Sequence, residues 1–311
     1  MRIGVVVTTY NGLRDLTECL TSIRTASDSD VFTVVVDNAS RDSTAEVIRR
    51  DFPEVAVLRS EVNLGFGGGN NLGCQTLMNR GVDVLAMLNN DTVVEPDFFE
   101  SLREVLQRYE GTVALAPKIL NYYSPTILDS AGGRISLLRG IPVLRGYGQH
   151  DSSRYDMEER TSGISGPAIV ITRSTVDEIG LLDPRFFLGT EDIDYSLRIC
   201  RAGIPIVYAP SVRIRHKRWQ SIVNKDTGIV TTQLGNFFGT RNSLILLGMY
   251  GNIVQRIGYA FTLLLLIMPW QALRSSLSHQ AFLKPTLLAI VSRLDPTRVP
   301  PDHEIVTRFL G

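Results

Sequence analysis

Residues 3–40 read IGVVVTTYNGLRDLTECLTSIRTASDSDVFTVVVDNAS. The stretch opens on an apolar run, residues 3–7, and closes on another, residues 31–36, each of strand length. Between them Leu13, Leu16, Leu20 and Ile23 recur at helical spacing. Two strands without polar alternation, joined by an amphipathic helix, belong to a sheet covered on both faces. Both strands end in polar residues. The first runs into Thr8, Thr9, Tyr10, Asn11 and Gly12, the second into Asp37, Asn38, Ala39 and Ser40.

Moving outward, the pattern repeats. Residues 55–58, 82–88 and 113–116 read as further strands, and residues 71–78 as a helix. Ser43 with Glu46 predicts a capping box. Pro96 marks the start of a helix that residues 98–106 continue. Such alternation predicts an α/β fold, a mostly parallel sheet flanked by helices. Ligands of such sheets sit beyond the C-terminal ends of the strands. Periodicity fades over residues 121–161, read as a long loop over the site. It returns with a strand at 169–171, helices at 174–179 and 192–202, and two short strands at 205–208 and 212–214.

Beyond residue 236 the chain is apolar and helical. From residue 241 onward seven Lys and Arg face three Asp and Glu, although the whole chain balances 32 against 32. That balance gives no sign of a nucleic-acid partner. The run 263–268 is short for a spanning helix, which needs roughly 20 apolar residues. Trp270, Arg256 and Arg274 beside it suit a helix lying in the membrane interface. A helix docked on the main domain or in a homodimer interface is the alternative. Cys19, Cys74 and Cys200 show no metal-ligand spacing and fit a reducing compartment. Met1-Arg2 leads directly into residues 3–7, with no signal peptide, so a cytoplasmic location is expected.

Two further polar clusters follow strands. Asn89, Asn90 and Asp91 offer oxygen ligands to a hard cation such as Mg²⁺ or Mn²⁺, which would neutralise a departing diphosphate. Glu191, Asp192 and Asp194 open a helix whose dipole offsets their repulsion, and one of them can serve as a general base. Each cluster alone can be an ordinary helix cap; several on neighbouring strands converge on one crevice. His216 lies among Arg213, Arg215, Lys217 and Arg218, four cations expected to depress its pKa. A neutral imidazole there can complete a metal shell, and the adjacent cations can pair with diphosphate. The glycines of residues 63–71 read as a loop that lets backbone approach a nucleotide.

Taken in order, VVVTTYNG, VVVDNAS, NLGFGGGNNLG, LNNDTVVEPDFF, SGPAIVITRSTVDEIGLLDPRFFLGTEDIDYSLRICRAG and YAPSVRIRH resemble family 2 glycosyltransferases. The similarity extends over roughly residues 3–220 and is strongest to the bacterial rhamnosyltransferase-like branch. It implies the GT-A nucleotide-diphospho-sugar transferase fold with a C-terminal hydrophobic helical extension. By resemblance, Thr8, Tyr10 and Asp37 line the nucleotide pocket, and Asn63 and Gly67 contact the nucleoside. Asn11, Asn38 and Asn90 join the expected donor site. Asp91, Asn89 and His216 are the implied metal ligands, with Asn in the first position of the Asp-x-Asp motif. Asp192, beside Glu191, is the implied base of an inverting transfer.

The implied donor is a nucleotide-sugar, with dTDP-rhamnose the leading reading, and the acceptor a saccharide or lipid-linked saccharide of cell-surface polysaccharide synthesis. The implied location is the inner face of the membrane. Residues 1–235 form the expected catalytic domain, with a nucleotide part to about 120 and an acceptor part after it; residues 236–311 form the helical region. A polyprenyl-phosphate sugar synthase is the rival within catalysis. A nucleotide-sugar-binding protein without turnover is the rival outside it, against which Asp91 and the Glu191–Asp192 pair both count. An NAD-dependent oxidoreductase is disfavoured because the glycines do not follow the first strand.

Overall fold

The computed structural model describes residues 1–109, 111–136, 141–218, 229–270, 286–287, 290 and 302–305. Expectations resting on Arg274 and on most of residues 271–311 lie outside these. In chain order the elements are β1 (Ile3–Thr9), α1 (Leu13–Ala26), β2 (Val31–Asp37), α2 (Thr44–Asp51), β3 (Ala56–Arg59), α3 (Gly65–Asn79), β4 (Val84–Asn89), β5 (Thr92–Val94), α4 (Phe98–Leu106) and β6 (Ala114–Asn121). Next come β7 (Leu128–Ala131), β8 (Gly133–Ser136), β9 (Ile141–Leu144), β10 (Glu159–Thr161), β11 (Ala168–Thr172), α5 (Arg173–Ile179), α6 (Glu191–Arg201) and β12 (Ile206–His216). The helices α7 (Ile229–Tyr250) and α8 (Ile253–Thr262) follow, and α8 runs on into a π-helical turn, Leu263–Ile267.

The fold is α/β, and the main sheet is mixed, ordered β10-β12-β6-β11-β4-β1-β2-β3. Strands β3, β2, β1 and β4 run parallel, β11 is antiparallel to both β4 and β6, and β12 is parallel to β6. Alternate residues of β1 feed opposite faces, as a pleated strand requires. Ile3, Val5 and Val7 pack with Leu16, Leu20 and Ile23 of α1 and Phe98 and Leu102 of α4. Val6 packs with Cys74 and Leu77 of α3 and Tyr195 and Ile199 of α6. Two covered faces explain why these strands carry no polar alternation.

Four expectations are corrected. The glycine-rich stretch is not a loop: helix α3 begins at Gly65 and contains Gly67, Gly68, Gly69 and Gly73. Glycine costs about 1 kcal/mol per helical position relative to alanine, but here it allows close approach to β1. A Cβ on Gly73 would stand 2.4 Å from Val6 Cγ1, and one on Gly69 2.5 Å from Thr8 Cγ2. The stretch 121–161 is not a plain loop either, since it holds β7 to β10. The two short strands near residue 210 are one, β12, with an irregularity between Ala209 and Arg213 around Pro210. The Ser43 capping box does not form: Asp42 accepts from the Thr44 N–H, and Glu46 pairs with Arg59.

The described residues divide into two compact units. One lies within Met1–Arg134, Pro142–Pro184 and Glu191–Ser221, the other within Ile135–Ile141, Arg185–Thr190 and Ile222–Gly311. In the second, the buried Asn242 of α7 donates to the carbonyls of Phe186, Leu188 and Gly189. Arg241 donates to those of Arg185 and Phe186. Helix α8 starts in a capping box between Asn252 and Gln255. Ile253–Trp270 has mean hydropathy 1.5 over 18 residues and is 11% buried; by length and composition alone it can cross a membrane. The apolar segment is thus longer than the run 263–268 suggested.

Gly73→Ala is expected to lower stability even though alanine is the better helix former by about 1 kcal/mol. Overpacking costs about 1–3 kcal/mol, and Val6 is fully buried with little room to yield. Denaturant titration should show a lower midpoint at unchanged slope; an equal or higher midpoint refutes the close-packing account.

Candidate functional site

Hydrogen-bond register decides which strand ends meet. Thr9 stands opposite Asp37, and Thr8 opposite Asn89. The Asn38 N–H donates to the Thr9 carbonyl, and the Asn90 side chain to Thr9 Oγ1. Asn11, at a positive φ of 50°, accepts from the Arg41 N–H and donates its own N–H to Ser40 Oγ. Asp37 is fully buried; one carboxylate oxygen accepts from the Ser40 N–H and the other lies 3.6 Å from Arg59. Asn38 donates to Asn63 Oδ1 and accepts from the Leu64 N–H, tying the entry of α3 to the end of β2. Tyr10 is partly exposed at the same edge. Gly67 turns its missing side chain toward the backbone of Asp183 and Pro184.

Strand β12 brings His216 to this edge. His216 pairs with Thr92 of β5 and Asn121 of β6, and the Lys217 N–H donates to the Asp91 carbonyl. His216 Nε2 lies 3.3 Å from Asp91 Oδ1, and Nδ1 lies 3.4 Å from Asp129 Oδ2. The four neighbouring cations do not depress its pKa, because each is paired. Arg213 meets Asp97, Arg215 meets Glu95, Lys217 meets Asp15 and Glu18, and Arg218 meets Asp129. Burial pulls the imidazole pKa down, but Asp129 and Asp91 outweigh it and the net shift is upward. The same pairing already engages the cations that the sequence offered to a diphosphate.

Among the described residues no three His, Cys, Asp or Glu side chains form a ready metal cluster. Asp91 and His216 do face one another. Asn89 Oδ1 is buried without a hydrogen-bond partner among the described residues. One carboxylate, one imidazole and one amide oxygen suit a hard cation that completes its shell from bound phosphate.

The carboxyl pair at the start of α6 joins the same edge by a short path. Asp192 Oδ2 accepts from the Gly166 N–H at 2.9 Å, and the carbonyl of the next residue, Pro167, accepts from the Asn89 N–H at 3.1 Å. Glu191 is buried, and its Oε2 has no hydrogen-bond partner among the described residues. Burial first, and then the Asp192 charge, push Glu191 up to about 8. Burial also raises Asp192, while the N–H groups of Gly166 and Ile193 act to favour its charged form. Glu191 therefore keeps its proton at neutral pH, and Asp192 is the member of the pair whose hydrogen bonds support a carboxylate.

Sequence reading missed Asp129, Gly166 and Pro167. Asp129 sits in a strand whose periodicity is faint, and the other two act through backbone groups that no side-chain motif reveals.

Residues 4–132 match the family model for glycosyl transferase family 2. The chain is 28% identical over 238 residues to an N-acetylglucosaminyl-diphospho-decaprenol L-rhamnosyltransferase of Mycobacterium tuberculosis, covering 70% of this chain and 76% of that one. Its fold resembles TarS residues 1–349 of S. aureus, at TM-score 0.55 and 14% identity over 96% of this chain and 82% of that one. It equally resembles the mannosyltransferase PcManGT of Pyrobaculum calidifontis, solved with GDP-Man and Mn²⁺, at TM-score 0.55 and 13% identity over 95% and 87%.

Folding raises the Glu191 pKa, so the folded chain holds that proton more tightly than the unfolded one. Its contribution is fully present below the ordinary value of 4.5 and is lost as pH climbs to about 8. Glu191→Gln cannot ionise. Its stability relative to the parent chain should therefore rise across that window, followed by denaturant midpoints; a pH-independent difference would show that Glu191 is not held protonated.

Proposed function

The chain belongs to glycosyltransferase family 2, and from that premise we propose that it transfers a sugar, with inversion, from a nucleotide-diphosphate donor to a saccharide or lipid-linked saccharide. One observation carries the reading. Eight buried side-chain polar atoms lack hydrogen-bond partners among the described residues, and five of them belong to Thr8, Asp37, Asn89, Asp129 and Glu191, of which those of Asp37 and Asp129 have only long ion-pair contacts of 3.3–3.6 Å. Native proteins satisfy buried polar groups, so a concentration of unsatisfied ones at a strand-end edge suits a site completed by a polar ligand.

In this reading Thr8, Tyr10, Asn11, Asp37, Asn38, Asn63 and Gly67 bound the nucleoside, and Asn90 steadies the edge through Thr9. Asp91, Asn89 and His216 would hold Mg²⁺ or Mn²⁺, which when bound neutralises the charge gathering on the departing diphosphate. Asp192 accepts the proton of the acceptor hydroxyl. As that oxygen forms its bond to the anomeric carbon, the bond from that carbon to the diphosphate oxygen breaks, and the diphosphate leaves with the electron pair. Glu191, protonated beside it, limits the negative charge at the start of α6. Rhamnose from dTDP-rhamnose is the sugar this reading favours, on the similarity to the mycobacterial rhamnosyltransferase. A lipid-linked acceptor suits the exposed Phe261, Leu264, Leu265 and Leu266, which would meet lipid at the inner face of the membrane. Residues 1–235 make up the catalytic region and the helices after them the membrane-facing one.

Asp192→Asn should bind the donor as the parent does but lose about 10²–10⁴-fold in turnover, the usual worth of a general base. Donor affinity by calorimetry and turnover by product release separate the two. Near-parental turnover would remove Asp192 from the role.

A further inference from the structure

Asp129 lies on β7, whose pairing with β6 is irregular. Ile119 faces Ser130, but Leu120 faces Leu128, so Asp129 is the extra residue at that step. Such bulges re-aim a side chain. Strand β6 lies between β7 and β12, and it holds Asn121 opposite His216. The Asp129 carboxylate is buried, 3.4 Å from His216 Nδ1 and 3.3 Å from Arg218 Nε. At these separations the contacts are long, and Asp129 Oδ2 makes no well-aligned hydrogen bond among the described residues. The imidazole thus stands between two carboxylates, with Asp91 Oδ1 3.3 Å from its other nitrogen.

A neutral imidazole carries one N–H and one lone pair. If Nδ1 donates to Asp129, the Nε2 lone pair faces the Asp91 carboxylate, and two acceptors cannot face each other without a cation between them. Either a proton or a metal ion can stand there. If instead Nε2 carried the lone proton, the Nδ1 lone pair would face Asp129 and Nε2 could not ligate a metal.

We propose that Asp129 is a positioning residue: it fixes the His216 ring with the proton on Nδ1, so that Nε2 and Asp91 Oδ1 are turned together toward a divalent cation. This rests on the reading of Asp91 and His216 as cation ligands. Carboxylates behind metal-bound histidines orient the ring and raise its basicity, and their loss typically lowers metal affinity about 10–100-fold. Arg218 is the other partner of Asp129 and does not share in this role.

Manganese(II) titrated into the full chain, followed by the loss of its free-ion electron paramagnetic resonance signal, tests the assignment without reference to turnover. His216→Ala should weaken binding. Asp129→Asn, which keeps the shape but not the charge, should weaken it about 10-fold or more. Arg218→Gln, which removes only the partly exposed partner, should leave it within about twofold, as for a screened surface charge. Weaker binding in His216→Ala with parental binding in Asp129→Asn overturns the positioning role and spares the cation site. Parental binding in His216→Ala, or none in the parent chain, overturns the cation reading itself. A second measurement needs no variant. In the parent chain loaded with Mg²⁺, long-range ¹H–¹⁵N correlations should show the His216 proton on Nδ1; a proton on Nε2 instead would overturn the proposal even if Asp129→Asn did not fold.

Discussion

Strand β1 is hydrogen-bonded on both sides, to β2 and to β4, and its register fixes Thr9 opposite Asp37 and Thr8 opposite Asn89. The rest of the edge depends on this alignment. A slip of one residue would turn Val6 away from α3 and bring Val5 and Val7 against it. The face against α3 leaves no tolerance for that, because Gly69 and Gly73 already sit within a methyl group of Thr8 and Val6. Apolar packing thereby holds polar strand ends in one place. The cost is a set of buried oxygen atoms without hydrogen-bond partners among the described residues, which in the proposed function a cation and a phosphorylated ligand would satisfy.

Charge is managed locally around that edge. The basic run of β12 and the residues after it is matched side chain for side chain by carboxylates, so it presents little net field to His216. His216 instead answers to Asp91 and Asp129. At α6 the arrangement differs, because Glu191 and Asp192 compete with no paired cation among the described residues. Backbone N–H groups reach Asp192 and leave the Glu191 carboxyl to keep its proton. Unequal treatment of neighbouring acids is how one of a pair becomes a base.

Much of this was legible in the sequence. The apolar runs of β1, β2 and β4 and the periodicity of α1 define the sheet and its covered faces, and the residues that close those strands are the ones the register brings together. Other features depended on contacts between distant residues. The first half of helix α3 reads as a loop because its glycines are chosen for the clearance to β1 rather than for helix propensity, whereas residues 71–78 read as the helix they form. Residues 205–208 and 212–214 read as two strands, although β12 continues between them through an irregularity around Pro210. The Ser43–Glu46 motif gave way to Asp42 and to the ion pair with Arg59. Asp129 was invisible, since its partner His216 is far along the chain and only the bulge in β7 aims the side chain at it. The run of cations around His216 misled for the same reason: their carboxylate partners come from residues 15–18, 95–97 and 129.

A single base at Asp192, acting from one face of the donor while the diphosphate leaves from the other, is the central claim. The most direct measurement is the anomeric configuration of the product, read by NMR from the one-bond C–H coupling at the transferred carbon and compared with that of the donor. Inversion is the predicted result. Retention would contradict single displacement and require a second nucleophile.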